Sequence, residues 1–303
     1  MPQQQNLLKI QTLLLNWYAD FQRTFVWRHE NPDPYIVLVS ETMLQQTQTS
    51  RVEQKLPEFL KSFPTIFDLA KATNAEIIRA WQGMGYNSRA LRLRDCGRAV
   101  VEIFSGEIPS DETALLKLPG IGDYTARALQ AFAFKKNVTI VDVNIRRVYS
   151  RLLKIMLTTA SVALESDVRK FAGEVYPKGK SSEWHQAVMD LGATICTARA
   201  PKCLICPMQN ICPSAFQMKE EKVLKRAEPS HRGLPNRIWR GKSVEILRGV
   251  KEISGEELLS KILKTTPNAE DSEWFQMIIK ALEKDKIIAT RVFKNKIFVK
   301  LAE

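Results

Sequence analysis

The 303-residue sequence has no long apolar run, no internal repeat of solenoid length and no low-complexity tract. The first absence excludes a helix that crosses a bilayer, because such a helix needs about 20 consecutive apolar residues. The N-terminal stretch MPQQQNLLKI also lacks a basic segment followed by an apolar core. No export signal is therefore predicted, and we expect a cytoplasmic protein that has no membrane partner.

The sequence has fewer acidic residues than basic ones. The chain has 33 Asp and Glu against 45 Lys and Arg, which gives a formal net charge of +12. Such an excess of positive charge favours a polyanionic partner, of which nucleic acid is the commonest. A solvated lysine-rich surface would have the same composition, so the choice between the two depends on the motifs.

Cysteine is scarce, and four of the five cysteines lie close together. Cys196, Cys203, Cys206 and Cys212 are separated by six, two and five residues, whereas Cys96 stands alone and is predicted to be a small buried core residue. Clustered cysteines in an intracellular chain indicate a metal site rather than disulfides. A four-cysteine zinc site usually has two C-x-x-C pairs, and this segment has one. The spacing favours a [4Fe–4S] cluster, with zinc or unligated thiols as the alternatives.

Strand-like alternation is rare before residue 214, and helical periodicity dominates. Start signals strengthen several helices, among them Pro34 at a first helical position and Thr73 three residues before Glu76. The predicted helical segments are 6–23, 34–50, 65–72, 74–82, 88–104, 111–117, 123–134, 143–154, 161–175 and 184–194.

The sequence changes character after the cysteines. Residues 215–236 are charged and end in glycine and proline, which predicts a linker. The remaining residues, 237–303, predict a helix near 238–248, a second that begins at the cap Ser254, a third near 272–284, and the hairpin strands IIATRVF and KIFVKLA joined by Lys294-Asn295. This order is typical of a winged helix, although small helix–hairpin domains of this size also bind proteins.

The stretch LPGIGDYTARALQ, residues 118–130, places two glycines directly before an apolar-periodic helix. Glycines at a helix N-terminus allow backbone N–H groups to point at an anion, and the helix dipole assists. Gly120 and Gly122 are the candidates here. The alternative is a plain helix–turn–helix in which both glycines only relieve backbone strain.

Two carboxyl groups have contrasting surroundings. Glu41 lies in IVLVSETML, where apolar neighbours would remove solvation, raise its pKa and make it a proton donor. Asp142 precedes the helix of NIRRVYSRLL, and as an N-cap it would be held anionic. A protonated acid and a fixed anion are the pair used to cleave a glycosidic bond. Taken singly, a solvent-reaching glutamate and a purely capping aspartate are the alternatives.

Two polar segments are candidates for reading DNA. The run Gln45 to Gln48 offers hydrogen-bond donors and acceptors without charge, which suits the edges of bases. Tyr86 follows a Gly-x-Gly turn and precedes Arg89, Arg92 and Arg94, an arrangement that can wedge into a base stack. A solvated helix end, and a core tyrosine beside a solvated basic helix, are the alternatives.

Together these segments resemble the endonuclease III superfamily of DNA glycosylases. The resemblance rests on the hairpin LPGIG, on an aspartate 20 residues after its second glycine, and on the C-x6-C-x2-C-x5-C spacing. Within that superfamily, WRHENPDPYIVLVSETMLQQTQ, GMGYNSRA, LPGIGDYTA and VDVNIRRV are similar to the MutY-type adenine glycosylases. The similarity extends over about residues 7–214.

The resemblance implies a mainly α, two-lobed helix–hairpin–helix glycosylase fold with an iron–sulfur loop, plus a small C-terminal winged-helix-like α+β domain. It assigns residues 25–135 to a six-helix barrel lobe that contains the hairpin, and residues 1–24 and 136–214 to a lobe with a [4Fe–4S] cluster on the four cysteines. Residues 215–236 stay the linker and 237–303 the C-terminal domain. MutY-type proteins typically end in a Nudix-like domain, for which 237–303 is too short and too helical.

The resemblance also implies catalytic roles. Glu41 would protonate adenine at N7, Asp142 would stabilise the sugar cation, and Asn144 would orient water or a carboxylate. Tyr124 stands where bifunctional members carry the lysine that forms a Schiff base. Because a tyrosine cannot form an imine, strand cleavage is expected to be weak or absent, and Tyr124 would support Asp142 or the sugar.

Further residues are implied to contact DNA or the excised base. Two positions depart from the family pattern: Asp190 replaces a glutamate that contacts adenine, and Asn87 replaces a second tyrosine beside the wedge. The implied DNA contacts are Gln46 and Thr47 on the opposite strand, Tyr86 as the wedge, and the amides of Gly120 and Gly122 on a phosphate; the implied base pocket is Trp27, Arg28 and Asp190.

The expected function is that of a monofunctional DNA glycosylase in base excision repair, which flips and hydrolyses adenine mispaired with 8-oxoguanine or guanine. The expected partner is double-stranded DNA with a mispaired adenine, the protein being a nucleoid-associated monomer whose C-terminal domain adds DNA affinity or binds another repair protein. A thymine or uracil mismatch glycosylase on the same fold is the first alternative. A non-catalytic, redox-sensing DNA-binding protein is the second.

Overall fold

The structure is a computed structural model that describes residues 2–153, 162–217 and 228–303. Helices dominate it, as the sequence predicts. The helices are α1 (Pro2–Phe21), α2 (Pro34–Leu44), α3 (Thr49–Ser62), α4 (Ile66–Lys71), α5 (Asn74–Ala80), α6 (Ser88–Phe104), α7 (Glu112–Leu116), α8 (Asp123–Phe132), α9 (Val143–Leu152), α10 (Val162–Val175), α11 (Ser181–Thr194), α12 (Asn236–Arg248), α13 (Gly255–Leu263) and α14 (Ala269–Lys284). The strands are β1 (Ser230–His231), β2 (Leu234–Pro235), β3 (Ile253–Ser254), β4 (Ile288–Phe293) and β5 (Lys296–Leu301).

The chain divides into two compact units. The first contains residues 1–38, 110–117 and 121–223, and the second contains residues 39–109, 118–120 and 224–303. The C-terminal segment therefore packs in one unit with the helices that follow residue 39. Within the described ranges, no helix is both long and apolar enough to cross a membrane.

Helices α9 and α11 lie in close contact in the first unit. A Cβ at Gly192 of α11 would come within 2.8 Å of the Asn144 Cβ, so only glycine permits this approach. Behind it, the fully buried Trp184 donates from Nε1 to the hydroxyl of Tyr149 at 2.8 Å. The contact fixes the start of α9, where Asp142 and Asn144 lie, against α11.

A buried histidine supports the segment that leads into α9. The Nε2 atom of His185 accepts from the Ile140 amide at 3.0 Å, and Nδ1 lies 2.7 Å from the Ser181 carbonyl, to which it donates in that tautomer. The side chain is completely buried, and this burial lowers the pKa of His185 to about 4.

His185 is expected to make stability depend on pH. In the unfolded chain His185 binds a proton below about pH 6.5, the ordinary pKa of histidine, whereas in the folded protein it binds one only near pH 4. Stability therefore falls as the pH falls between these two values. The loss should be on the order of 3 kcal/mol, measured by denaturant unfolding at several pH values. In His185→Gln the slope of stability against pH should flatten. An unchanged slope in that variant would assign the loss to other groups.

One predicted helix is wrong in its extent and another was missed. The segment 34–50 was predicted to be one helix, but α2 ends at Leu44 and α3 begins at Thr49. Between them Gln46 takes the left-handed conformation, with φ 57°. Helix α3 runs to Ser62 and contains Pro57, a residue that usually argues against a helix interior. The helical spacing of its buried residues Val52, Leu56 and Phe59 is the signal that could have predicted it.

The predicted starts of the short helices α4 and α5 are well formed. Thr73 and Glu76 make a reciprocal capping box at the start of α5, as the sequence predicts. Helix α4 has the same arrangement with Thr65 and Asp68. Trp81, completely buried, follows α5 and meets Phe59 edge to face at 5.7 Å. These contacts fix the start of the loop that contains Tyr86.

The C-terminal domain has the predicted winged-helix order. Helix α12, strand β3, helices α13 and α14, and the hairpin β4–β5 follow one another, and the sheet order is β3-β5-β4. The hairpin turn consists of Lys294 and Asn295, both with positive φ (47° and 61°), as a two-residue turn requires. Ser254 caps α13 by accepting from the Glu257 amide at 3.2 Å.

The predicted linker 215–236 is only partly described, since residues 218–227 lie outside the described ranges. Its end is not a linker: residues 230–235 form the antiparallel pair β1–β2. The buried carboxylate of Asp271 binds both Arg232 (2.6 Å) and His231 (2.7 Å), and the His231 ring stacks on Trp274 at 4.0 Å. These contacts attach the hairpin to α14.

Candidate active site and DNA interface

Asp142 is the N-cap of α9, as predicted. Its Oδ1 accepts from the Ile145 amide at 2.7 Å, and its Oδ2 accepts from Asn144 Nδ2 at 2.9 Å. Burial raises the pKa of this carboxyl, and the bonds from Ile145 and Asn144 act in the opposite direction. The structure thus places Asp142 and Asn144 together, in a site where the anion is held by directed donors rather than by bulk water.

A hydrogen-bond chain leads from this carboxylate to the cysteine loop. Asn144 Oδ1 accepts from Arg147 Nη2 at 2.8 Å, and the same nitrogen donates to the Gly192 carbonyl at 2.6 Å. Arg147 Nε donates to the Cys196 carbonyl at 2.8 Å. Arg147 was not predicted as a site residue, although it lies in the same motif as Asn144.

Glu41 lies in α2 and is 6% exposed. Its neighbours Val39, Ser40 and Met43 are completely buried. Glu41 therefore lies in a largely buried part of α2. Its role as a proton donor stays a prediction.

The two candidate DNA-reading turns are held by one arginine. Arg89, 7% exposed, donates from Nη1 to the carbonyls of Thr42 (3.0 Å) and Met43 (3.1 Å) at the end of α2. Its Nη2 donates to Thr47 Oγ1 at 3.0 Å and to the Met84 carbonyl at 3.1 Å. The guanidinium therefore connects the turn after α2 with the turn before α6.

The residues that these turns expose are Gln46 and Tyr86. Tyr86 is 51% exposed and has φ 45°, in a loop where Gly83 and Gly85 are also left-handed. Gln46 is exposed and has φ 57°. Left-handed backbone at a residue other than glycine is costly and is concentrated at functional sites. Both side chains are therefore presented to solvent by conformations that the surrounding structure must maintain.

Two of the three arginines that follow Tyr86 are buried. Of these, Arg89 is buried under the turns and Arg94 is 4% exposed, bonded to Asp95 at 2.8 Å and to Asn74. Arg92 is exposed. The guanidinium groups of the buried pair satisfy carbonyl and carboxylate oxygens instead of facing a partner, a distinction that composition cannot reveal.

The glycines of the hairpin have different roles. Gly120 has φ +79°, and a Cβ there would lie 3.1 Å from the Arg92 Cβ, so conformation and space both require glycine. Gly122 caps α8 in an extended conformation, with open space where a Cβ would be. Gly122 thus leads into the first turn of α8, which contains the half-buried Tyr124, and the dipole of a helix N-terminus favours an anion.

Asp190 is buried beneath two arginines. Its side chain is completely buried, Arg28 binds it with two bonds (2.9 and 3.0 Å), and Arg23 binds it at 2.7 Å. Burial alone would raise the pKa of Asp190, but the bonds and charges of these arginines outweigh it and lower the pKa. Arg23 was not predicted, and it has no distinguishing signal in the sequence.

The predicted base-pocket residues Trp27 and Arg28 converge on Phe25. Trp27 is buried and stacks on the Phe25 ring at 4.7 Å, and the Arg28 guanidinium lies 4.8 Å from the same ring. Arg28 borders a cleft of about 380 Å³ in the first unit. The structure therefore brings Trp27, Arg28 and Asp190 together, with Arg28 rather than Asp190 at the cleft.

The four clustered cysteines line one cavity with Arg151. Burial, together with the charges of the other three cysteines, raises the pKa of Cys206 to about 11. Arg151 Nη1 lies 3.1 Å from Cys196 Sγ and donates to the Thr197 carbonyl at 2.8 Å. Four thiols around a shared cavity fit the all-cysteine ligand set of a [4Fe–4S] cluster.

Comparisons with known proteins identify the family. Residues 39–171 match the HhH-GPD superfamily of base excision DNA repair proteins, and residues 196–212 match the iron–sulfur binding domain of endonuclease III. An adenine DNA glycosylase of Mycolicibacterium smegmatis is 37% identical over 235 residues, which cover 78% of this chain and 79% of that protein. The chain belongs to the adenine DNA glycosylases.

A second curated relative and a solved structure also match this chain. The human adenine DNA glycosylase is 36% identical over 219 residues, which are 70% of this chain and 40% of the human protein. The structure of a thermostable thymine-DNA glycosylase matches with a TM-score of 0.65 and 28% identity, covering 72% of this chain and 100% of that one. Membership makes this protein a DNA-binding hydrolase of N-glycosidic bonds, and it confirms the resemblance, the helical fold and the iron–sulfur cofactor predicted from the sequence.

In this adenine DNA glycosylase, Cys196, Cys203, Cys206 and Cys212 would hold the [4Fe–4S] cluster. The bound cluster cross-links the loop that follows α11. Cys206→Ala is expected to abolish iron and acid-labile sulfide content and to lower the melting temperature, because thiolate–cluster bonds are lost. The control is Cys96→Ala, which removes a thiol that is 1% exposed and not in the cluster cavity. Normal iron content in Cys206→Ala would contradict the ligand assignment.

Proposed function

We propose that the protein removes adenine from duplex DNA in which it is mispaired with 8-oxoguanine or guanine, without cutting the strand. This proposal rests on two features together: the Asp142 carboxylate accepts hydrogen bonds from Asn144 and Ile145, and position 124 is a tyrosine rather than a lysine. A glycosidic bond needs a carboxylate near the developing sugar cation. A Schiff base needs an amine, which Tyr124 lacks.

The chemistry divides between two carboxyl groups. Glu41, which is 6% exposed, protonates adenine N7, so that the base leaves as a neutral molecule. Asp142 stabilises the sugar cation electrostatically. Asn144, bonded to Asp142 at 2.9 Å, fixes the carboxylate and orients the attacking water. Tyr124 supports the sugar.

Extraction of the adenine depends on the two exposed turns. Tyr86 wedges beside the base opposite the adenine, and Gln46 and Thr47 contact the opposite strand. Thr47 is already bonded to Arg89, so it acts partly by holding its turn. The left-handed conformations of Gln46 and Tyr86 aim both side chains outward before DNA binds.

The remaining contacts hold the backbone and the base. Amides at Gly120 and Gly122 bind a phosphate. The adenine pocket contains Trp27 and Arg28, and Asp190 acts by fixing Arg28 rather than by touching the base, since its oxygens already accept from two arginines. The protein acts as a monomer on chromosomal DNA in the cytoplasm, and its net charge of +12 adds a salt-dependent affinity.

The decisive experiment is single-turnover cleavage of duplexes that contain adenine opposite 8-oxoguanine, adenine opposite guanine, or thymine opposite guanine. Adenine release with strand breaks only after alkali would support the proposal. Breaks without alkali would refute the monofunctional assignment. Robust thymine release without adenine release would support the alternative suggested by the similarity to a thymine-DNA glycosylase.

A further inference from the structure

One arginine of the C-terminal domain contacts the loop that carries Tyr86. Arg248 is the last residue of α12, and its side chain is 10% exposed. Its Nε donates to the Ile78 carbonyl at 3.1 Å, its Nη2 donates to Asn87 Oδ1 at 2.9 Å, and its Nη1 pairs with Glu245. A single guanidinium thus binds two points of the helical region that are separated along the chain by the loop.

These two points bracket Tyr86. Ile78 lies in the last turn of α5, where carbonyls have no partner within the helix. Asn87 follows Tyr86 directly and precedes α6. Between them the chain passes through three left-handed residues, Gly83, Gly85 and Tyr86. Because Arg248 holds both ends, it restricts the relaxation of Tyr86 to an ordinary conformation.

Other contacts keep the C-terminal domain from pivoting about Arg248. Asn74, at the start of α5, donates from Nδ2 to the Lys286 carbonyl at 2.7 Å, and it is 8% exposed. Gln82 bonds to Glu245. The domain is therefore attached along α5 from its first residue to the loop after it.

The outer face of the domain does not explain this attachment. The exposed charged side chains of α14, the helix that occupies the position of a reading helix in a winged-helix order, are Glu270, Glu273, Lys280, Glu283 and Lys284. This mixture of charges gives α14 no uniformly basic face for phosphates. The best-defined contacts of the domain are instead with the wedge loop.

We propose that the C-terminal domain is a positioning element for Tyr86, and that Arg248 is the residue through which it acts. Arg248 fixes Asn87 and the Ile78 carbonyl, and thereby holds the loop in the conformation that projects Tyr86. This inference rests on the proposed role of Tyr86 as a wedge. Arg248 is a positioning residue in this proposal, since it acts through Asn87 and the Ile78 carbonyl.

The test uses the full-length protein and compares Arg248→Ala with Arg240→Ala. Arg240 lies on the same helix and pairs with Asp285 inside the C-terminal domain. Arg240→Ala therefore removes one positive charge, as Arg248→Ala does, but it removes no contact with the loop that carries Tyr86. Hydrogen exchange at the amides of Met84, Arg89 and Ala90, which bond within the loop and its exit, reports the loop without DNA. We expect exchange about tenfold faster in Arg248→Ala and unchanged in Arg240→Ala.

Base release supplies the second readout. In single-turnover assays with saturating enzyme, Arg248→Ala and Asn87→Ala should each slow adenine release about tenfold, and the double variant should be no slower than either. Arg248→Lys keeps the charge and the packed stem but cannot bind both oxygens, so it should remain slow. Rescue by lysine, or additive effects in the double variant, would overturn the proposal.

The variant Tyr86→Ala distinguishes failure of this inference from failure of the proposed wedge role of Tyr86. Wild-type adenine release in Tyr86→Ala would refute the wedge, and with it the positioning role. Suppose instead that adenine release is slow in Tyr86→Ala, while amide exchange and adenine release are both unchanged in Arg248→Ala. That result would refute the role of Arg248 and leave the wedge role of Tyr86 standing. The melting temperature of each variant verifies that the domain remains folded.

Discussion

Asp142→Asn should reduce adenine release on the order of 10³-fold, because the substitution removes the negative charge that we propose stabilises the sugar cation. The expected loss lies in the chemical step and not in DNA affinity. Single-turnover rates and equilibrium binding to the same mispaired duplex distinguish the two.

The same substitution should leave the protein as stable as the wild type or slightly more stable. Burial raises the pKa of Asp142 above its value in the unfolded chain, so the ionised carboxylate opposes folding at neutral pH, and stability rises as the pH falls through the folded pKa. Asparagine carries no charge and is as good an N-cap as aspartate, so its one side-chain oxygen can still accept from the Ile145 amide, whereas loss of the bond from Asn144 Nδ2 offsets part of the gain. Thermal melts at pH 7 measure the difference.

The chain offers a matched control for this variant. Asp111 caps α7 by accepting from the Ala114 amide at 2.9 Å, and it is exposed. Asp111→Asn makes the same chemical change at a cap with no role in catalysis, so its base release and melting temperature should match those of the wild type. Activity in Asp142→Asn within about tenfold of the wild type would contradict the role assigned to Asp142.

Local signals in the sequence were sufficient to predict features that depend on neighbouring residues. Asp142 was found because an N-cap has a recognisable position before a helix, and the cysteines because ligands of one cluster must lie at restricted spacing. The C-terminal hairpin was found because two residues that tolerate positive φ separate two strands. Each of these signals lies within a few residues of the feature it specifies.

The supporting arginines could not be found in this way. Arg23, Arg89, Arg147 and Arg248 bind carbonyl, amide or carboxylate oxygens that are brought to them by folding, and Ile78 is 170 positions from Arg248. A helix with several arginines has the same sequence pattern whether its guanidinium groups face DNA or buried carbonyls. The end of α2 was misplaced for the same reason, since the donor that satisfies its last carbonyls is Arg89, in α6.

Arg89→Met should lower both stability and base release strongly. Methionine fills the space of the aliphatic stem but cannot donate, so the carbonyls of Thr42, Met43 and Met84 lose their buried donor. Each unsatisfied buried group costs about 1–3 kcal/mol, and a total near 3 kcal/mol is expected after local rearrangement admits water.

Base release should fall about a hundredfold in Arg89→Met even at temperatures where the variant is fully folded, because the turns with Gln46 and Tyr86 lose their common anchor. The matched control is Arg92→Met on the exposed side of the same helix, whose unfolding free energy should stay within about 0.5 kcal/mol of the wild type. Denaturant unfolding and single-turnover rates at low temperature separate the two effects. If Arg89→Met were destabilised but as active as the wild type while folded, Arg89 would support only the fold, and the outward conformations of Gln46 and Tyr86 would have to be maintained by other contacts.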